Sequence, residues 1–342
     1  MSMVEMIRDS AGAVAPRGGA LTRIRALRFT RPGFDAAVWR QIAEMGWIGL
    51  RVAEDQGGIG LGMAEYCALA EELGRGLVPE PLVQGALSAA LLAACGDEAG
   101  LAALLAGEAL PLVAWQERAD TLDAPGTPET PRLFVSMAAG ATGFLLPVRE
   151  DGALVLHAAQ AVPEIVETQD GGHYGTITAR GTRIGTLPVA ALERALDEAT
   201  LANAAMLLGV MERSFAMTLD YLLTRQQFGK PIGSFQALQH RAVDLQIQVT
   251  LTRASVEAAA ATLDAGAPPA ARRAAVSRAK VRAAEAALLV TRAAVQLHGA
   301  IGYTDEYDVG LYLRKAMVLA NQFGSAALHR RRFTANAVDA DE

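Results

Sequence analysis

The stretch Arg225-Gln-Gln-Phe-Gly-Lys-Pro-Ile-Gly-Ser-Phe-Gln-Ala-Leu-Gln-His240 decides how this chain is read. Gly229, Lys230 and Pro231 set a tight turn between two helical segments, because glycine reaches backbone conformations closed to other residues and proline cannot continue a helix. Arg225 falls at the C-terminal end of the first helix, and Gln236 and Gln239 fall in the first turn of the next. An arginine fork beside exposed first-turn amides suits a pyrophosphate. The same arginine also suits the negative end of its own helix dipole, and the local sequence leaves both readings open.

Working outward, the helical period extends in both directions. Residues 191–225 form one long amphipathic segment, interrupted only by Gly209. Residues 235–265 form a second, closed by Gly266-Ala-Pro-Pro269, and 270–298 and 308–322 form a third and a fourth. Four long helices with short connections predict an antiparallel bundle. Between the last two lies Gln296-Leu-His-Gly-Ala-Ile-Gly-Tyr-Thr-Asp-Glu-Tyr-Asp-Val-Gly310, where Gly299 and Gly302 permit a turn that another group can approach closely. Its spacing fits neither the dinucleotide fingerprint nor the P-loop, so a helix cap and connector explains it equally.

Upstream the texture changes. From about residue 111 to 187, short apolar runs (Leu112-Val-Ala-Trp115, Leu133-Phe-Val135, Gly143-Phe-Leu-Leu-Pro-Val148, Ala153-Leu-Val-Leu156, Thr176-Ile-Thr178) alternate with Gly, Pro and Asp, as short antiparallel strands do. Residues 123–131 hold three prolines and read as loop. Earlier still the pattern is helical. Asp35 caps a segment carrying Val38, Trp39, Ile42 and Met45; further helices run over 63–73, 82–95 and about 101–105. The expected organisation is an N-terminal helical domain (1–110), a reduced middle β-domain (111–189) and a C-terminal four-helix bundle (190–342), mainly α overall.

Composition fits that plan. Hydrophobic residues make up 51% and aromatics only 5%, so alanine and leucine must fill the core, which favours closely approaching helices. The formal net charge of -6 and the single short basic tract, His329-Arg-Arg-Arg332, argue against nucleic-acid binding. Cys67 and Cys95 sit in apolar stretches without metal-ligand spacing and read as buried thiols of a reducing compartment. The N-terminus lacks an apolar core segment and no run reaches the ~18 residues of a membrane span, so a cytoplasmic protein is expected.

Together, in order and about 70 residues apart, the two quoted motifs closely resemble the hallmarks of the acyl-CoA dehydrogenase family: Arg225 to Gln236, and Gln296 to Tyr307. The N-terminal runs Met45-Gly-Trp-Ile-Gly-Leu50, Glu54-Asp-Gln-Gly-Gly-Ile-Gly60 and Glu71-Glu-Leu-Gly-Arg75 resemble the same family, so the likeness covers about residues 35–332. The resemblance implies a helical domain, a β-domain (short and barrel-like here) and a four-helix bundle, with FAD held at a subunit interface of a dimer or tetramer. It implies flavin contacts for Arg225, Phe228, Phe235 and Gln236, and nucleotide contacts for Gln296, Gly299 and Ala300. Trp115-Gln-Glu117 and Phe134-Val-Ser136 would flank the isoalloxazine ring, with Ser136 a cofactor contact. No metal is implied.

In the family reaction a carboxylate removes the proton α to the thioester, the flavin takes a hydride from the β carbon, and electron-transfer flavoprotein is the usual acceptor. The segment matching the usual base is Gln322-Phe-Gly-Ser-Ala326, which places Phe323 where the glutamate is expected. Some members keep the base near the start of the first bundle helix. Counting back from Phe228, that position is Ala199, with Glu198 one residue away and therefore rotated by ~100° on a helix. Glu198 is a weak candidate; His173, in a turn-like Asp170-Gly-Gly-His-Tyr174, and His298 are further ones. The resemblance thus implies α,β-dehydrogenation of an acyl-CoA in fatty acid or steroid degradation. Compact length and a shortened β-domain resemble subunits of heteromeric steroid-CoA dehydrogenases. A non-catalytic partner subunit and a flavin-dependent monooxygenase on the same fold are the alternatives.

Overall fold

The computed structural model describes residues 2–15, 20–123, 126–127 and 129–337. The helices before the β region are α1 (Met3–Ser10), α2 (Thr22–Leu27), α3 (Ala36–Glu44), α4 (Met63–Arg75), α5 (Leu82–Cys95) and α6 (Glu98–Leu105). Seven strands follow: β1 (Pro111–Val113), β2 (Arg132–Ser136), β3 (Gly143–Glu150), β4 (Ala153–Ala159), β5 (Glu164–Glu167), β6 (His173–Ile177) and β7 (Thr182–Thr186). The chain continues through α7 (Val189–Thr224), β8 (Gln226–Gln227), β9 (Lys230–Pro231), α8 (Gln236–Asp264) and α9 (Pro269–His298). It ends with α10 (Ala300–Tyr303), α11 (Val309–Leu319) and α12 (Ala326–Asn336). The four long helices read from periodicity are present within a few residues of their expected ends, and the fold is mainly helical with a small β region in the middle.

Contacts divide the chain into two units. One contains Thr22–Tyr66 and Pro79–Thr200. Its sheets have strand orders β1-β3-β4-β7 and β2-β6-β5; β1 lies parallel to β3 and the other pairs are antiparallel. The sequence reading missed β5 and β7. Both are edge strands whose residues are mostly exposed, so they bury no face and carry no apolar alternation. His173 opens β6 rather than sitting in a turn. Of the loop read over 123–131, residues 124, 125 and 128 lie outside the described residues. The helical part is ordered as expected: Asp35 accepts from the Ala37 N–H at 2.8 Å, and buried Trp39 lies over Gly85, where a Cβ would come within 2.6 Å of the indole. Glu80 is buried and takes both Arg23 guanidinium nitrogens and the Asp35 N–H.

The other unit contains Met1–Leu21, Cys67–Val78 and Leu201–Glu342. Helix α9 is its hub and packs against α8, α11 and α12. Its inward face is largely alanine (Ala275, Ala279, Ala283, Ala286, Ala287, Ala294), which lets the axes approach. Helices α1 and α12 were not anticipated. Helix α1 starts with a Ser2–Glu5 capping box, too short a signal to stand out, and its Arg8 binds the buried Glu71 and Glu72. The basic tract of residues 329–332 lies within α12, where Arg330 pairs with Glu285 and His329 is buried. Cys67 is buried and Cys95 only half so; neither forms a disulfide.

Gly209, the one interruption read in α7, is explained by a helix crossing. A Cβ there would lie 1.9 Å from the Glu71 carbonyl oxygen, and one on Gly74 would lie 2.2 Å from the Met206 carbonyl oxygen. In an uncrowded helix Gly→Ala stabilises by about 1 kcal/mol. At this crossing backbone meets backbone and neither side can yield, so Gly209→Ala is expected to destabilise by roughly 1–3 kcal/mol, read as a lower denaturant midpoint.

Candidate functional site

The Arg225–His240 motif is a hairpin between α7 and α8. The Ile232 N–H donates to the Arg225 carbonyl at 2.8 Å, and Gln226 and Gln227 pair with Pro231 and Lys230. Phe228 and Gly229 form the tip with φ of +55° and +78°. Phe228 is 90% exposed, an unusual position for an aromatic ring. Its edge meets Phe235 at 6.0 Å, and the Lys230 ammonium stands 4.3 Å above the Phe235 ring. Arg225 and Gln236 are exposed, whereas the Gln239 amide folds back onto the Gly233 carbonyl at 3.0 Å.

The second motif meets the first through an aromatic stack. Tyr221, one turn before Arg225, stacks on His298 at 4.5 Å, and Tyr307 meets the same imidazole at 4.9 Å and the Tyr221 ring edge-on at 6.3 Å. Gln296, Gly299 and Ala300 are exposed beside this stack, and Gly299 adopts φ +66° and ψ -142°, a conformation reserved for glycine. His298 is 3% exposed with Nδ1 2.7 Å from the Ala294 carbonyl, so Nδ1 carries the proton and Nε2 is an acceptor. That Nε2 is buried and unpaired within the protein. Burial pushes the imidazole below its ordinary value, against the pull of its backbone hydrogen bond, and it is neutral near pH 7.

Ser136 belongs to the other unit, at the end of β2 opposite Tyr174. Nearby Phe134 has φ +57°, is 46% exposed and meets Tyr174 edge-on at 5.9 Å. Glu117 is tied to the buried Arg132 guanidinium, which also donates to the Thr127 and Pro147 carbonyls. His173 is buried, with Nε2 accepting from the Ala139 N–H at 2.9 Å; burial and the nearby Arg31 charge hold it at about 4. It is a structural acceptor.

Phe323 has φ +56° and is 8% exposed, and its side chain cannot take a proton. The turn that carries it hangs from the hub helix. Lys280, fully buried in α9, donates to the Leu319 carbonyl at 2.8 Å and to Asn203 Oδ1 at 2.5 Å; Asn203 Nδ2 donates to Gln322 Oε1 at 3.2 Å. His329 Nε2 meets the Phe323 carbonyl at 2.8 Å, and its Nδ1 meets Ser277, three residues before Lys280, at 3.2 Å. Both bonded partners of Lys280 are neutral, and burial holds its amine at about 7. No sequence signal marked Lys280, because a lysine among alanines reads as a solvated face.

Glu198 lines a chamber of 420 Å³ formed by α5, the start of α7 and the loop after α3. Eight of its sixteen lining residues are alanine, among them Ala86, Ala90, Ala195 and Ala199. Arg51 grips Glu198 with Nη2 at 2.9 Å and Nε at 3.2 Å while Nη1 donates to the Leu61 carbonyl at 2.6 Å, and Arg194 Nε adds a bond at 3.0 Å. Burial alone would raise the Glu198 carboxyl, but the bonds and charges of Arg51 and Arg194 outweigh it and bring it below its ordinary value. A carboxylate so held is a poor proton acceptor. Arg51 was not singled out, since its partner lies 147 residues away in sequence.

Residues 4–108 match the family model for the acyl-CoA dehydrogenase N-terminal domain, and 189–338 match that for its C-terminal domain. The chain belongs to the acyl-CoA dehydrogenase family. It is 30% identical to acyl-CoA dehydrogenase IpdE2 of Mycolicibacterium smegmatis over 97% of both chains. Among solved structures it resembles a chain of the ChsE4-ChsE5 complex of Mycobacterium tuberculosis, with a TM-score of 0.88, 25% identity and coverage of 100% of this chain and 99% of that one. A variant of the Tcur3481-Tcur3483 steroid ACAD gives 0.87 at 27% identity, covering 97% and 96%. Among the described residues no helix is long and apolar enough to cross a membrane, and no His, Cys, Asp and Glu group could hold a metal ion.

Lys280 supplies a test of the geometry around Phe323. Its amine titrates at about 7 in the fold and at 10.5 when exposed, so between these values the unfolded chain binds the extra proton. Stability is therefore expected to rise with pH from about 7 toward 10, with a slope of up to ~1.4 kcal/mol per pH unit from this group. Denaturant midpoints measured at pH 7 and 9 should show the rise in the native protein and lose most of it in Lys280→Met.

Proposed function

We propose that this chain is one subunit of a heteromeric, FAD-dependent acyl-CoA dehydrogenase, contributing flavin-binding surface and an acyl chamber while a partner chain supplies the α-proton base. The reading rests on the two positions where the resemblance expects a base, neither of which carries a free carboxylate. Phe323 stands at one, and at the other Ala199 lines the chamber while neighbouring Glu198 is bound by two arginines.

The residues present fit a flavin nucleotide. Phe228 is a bare aromatic ring at the tip of the turn, Arg225 can donate two bonds from its base, and the second motif holds the buried, unpaired Nε2 of His298. In this reading Arg225, Phe228, Phe235, Gln236, Gln296, Gly299 and Ala300 hold FAD, which when bound supplies the hydride acceptor for the β carbon; Ser136 is proposed separately as a cofactor contact of its own unit. Completing such a site with a second subunit covers the exposed Phe228 and Leu223 and the apolar stripe Val243, Ile247 and Leu251 spaced by four along α8. The steroid ACAD likeness supports an acyl-CoA from steroid or fatty acid degradation, and electron-transfer flavoprotein is the proposed electron acceptor.

Purified alone, the chain is expected to hold little flavin; co-expressed with a glutamate-bearing acyl-CoA dehydrogenase chain, it should yield a yellow complex bleached anaerobically by an acyl-CoA. Rapid bleaching by the isolated chain would overturn the division of labour, and NAD(P)H-linked oxygen consumption would indicate a monooxygenase instead. Within the complex, Arg225→Ala and Phe228→Ala are each expected to weaken FAD retention about tenfold or more, read as the 450 nm absorbance left after dialysis. Both residues are exposed, so melting of the flavin-free protein should be unchanged.

A further inference from the structure

The chamber beside α5 and α7 has a charged wall that a plain hydrocarbon cannot use. Arg51 and Glu198 face it with side chains 18% and 13% exposed, deep enough to be largely dry and open enough to touch what fills the cavity. Arg194, at 58%, stands at the rim and contacts the same carboxylate. The three groups sum to one net positive charge. Half of the lining is alanine, mostly on α5 and on the same helix as Glu198, which keeps side-chain bulk out of the 420 Å³ cavity.

We infer that the Arg51–Glu198 pair determines specificity in this chamber, selecting an acyl group that carries an oxygen acceptor (a ketone, hydroxyl or carboxylate) over a hydrocarbon of the same size. The inference rests on the reading of the chamber as an acyl-CoA site. A hydrocarbon seated there strips water from the exposed edge of the ion pair and returns nothing, which is costly for charged groups. An oxygen acceptor replaces that water with a charge-assisted bond from a guanidinium N–H. The sign of the net charge selects an acceptor over a cationic group, and the small alanine side chains leave room for a ring rather than only a chain.

The test uses the flavin-loaded complex and two thioesters already unsaturated at the α,β bond, cyclohex-1-enecarbonyl-CoA and its 4-oxo derivative, which have no α,β hydrogen pair left to lose, titrated by calorimetry with free CoA as control. The oxo thioester is expected to bind about tenfold or more tightly. In Arg51→Met/Glu198→Met, which removes both charges of the pair and leaves only Arg194, which solvent reaches at the rim, the two affinities should converge to within about twofold, with the hydrocarbon thioester still bound. Equal affinities in the native complex would overturn the inference without any variant being needed, as would a preference that survives in the double variant. Free CoA losing affinity in parallel would show that the arginine reads a phosphate, which also overturns it. If neither thioester binds better than free CoA, the acyl-CoA reading of the chamber itself fails.

Discussion

A buried lysine amine without a counter-charge is the constraint that ties the C-terminal helices together. Lys280 is fully buried, and its bonded partners are an amide and a carbonyl rather than a carboxylate. An unpaired charge in that position would be intolerable, so its acceptors must stay in place. Three segments are fixed at once: α7 through Asn203, the end of α11 through Leu319, and the turn carrying Phe323 through Gln322. The alanine face of α9 makes this possible by bringing the helices within reach of one lysine side chain.

The same unit handles charge in the opposite way near α1. Burial raises the Glu71 carboxyl, but Arg8 and Arg253 bring it to about 2, while Glu212, beside Glu71, is pushed up by burial and by that neighbouring charge. Here a network of carboxylates and guanidinium groups joins α1, α4, α7 and α8, and each charge is answered. Bidentate arginines at fixed spacing give such a network direction as well as energy, so it sets register between helices.

At the candidate site the two regimes meet function. The motif residues that would contact a cofactor are mostly exposed, on turns shaped by the Arg225–Ile232 bond, the Tyr221–His298 stack and a glycine conformation at Gly299. The residues that would abstract a proton are missing or bound. Under the proposed function, a cofactor-binding surface without a free base of its own is what a subunit of a composite enzyme requires, because a shared site needs only one base.

The longer helices apart from α1 and α12, the β region and the two motifs were legible in the sequence because each depends on local pattern: a 3.6-residue apolar period, glycine and proline punctuation, and fixed spacing within a turn. Phe323, where the resemblance expects a base, was legible for the same reason. The edge strands β5 and β7 were not, since an edge strand buries too little to show alternation. Nor were the state of Glu198, the role of Arg51 or the burial of Lys280. Glu198 read as a helix-start acid; its meaning came from an arginine 147 residues earlier. Lys280 read as solvated; its meaning came from Asn203 and Leu319 on other helices. Local propensity fixes where backbone turns and which face is apolar, but the free energy of a charge depends on what stands within a few ångströms, and only the tertiary structure decides that.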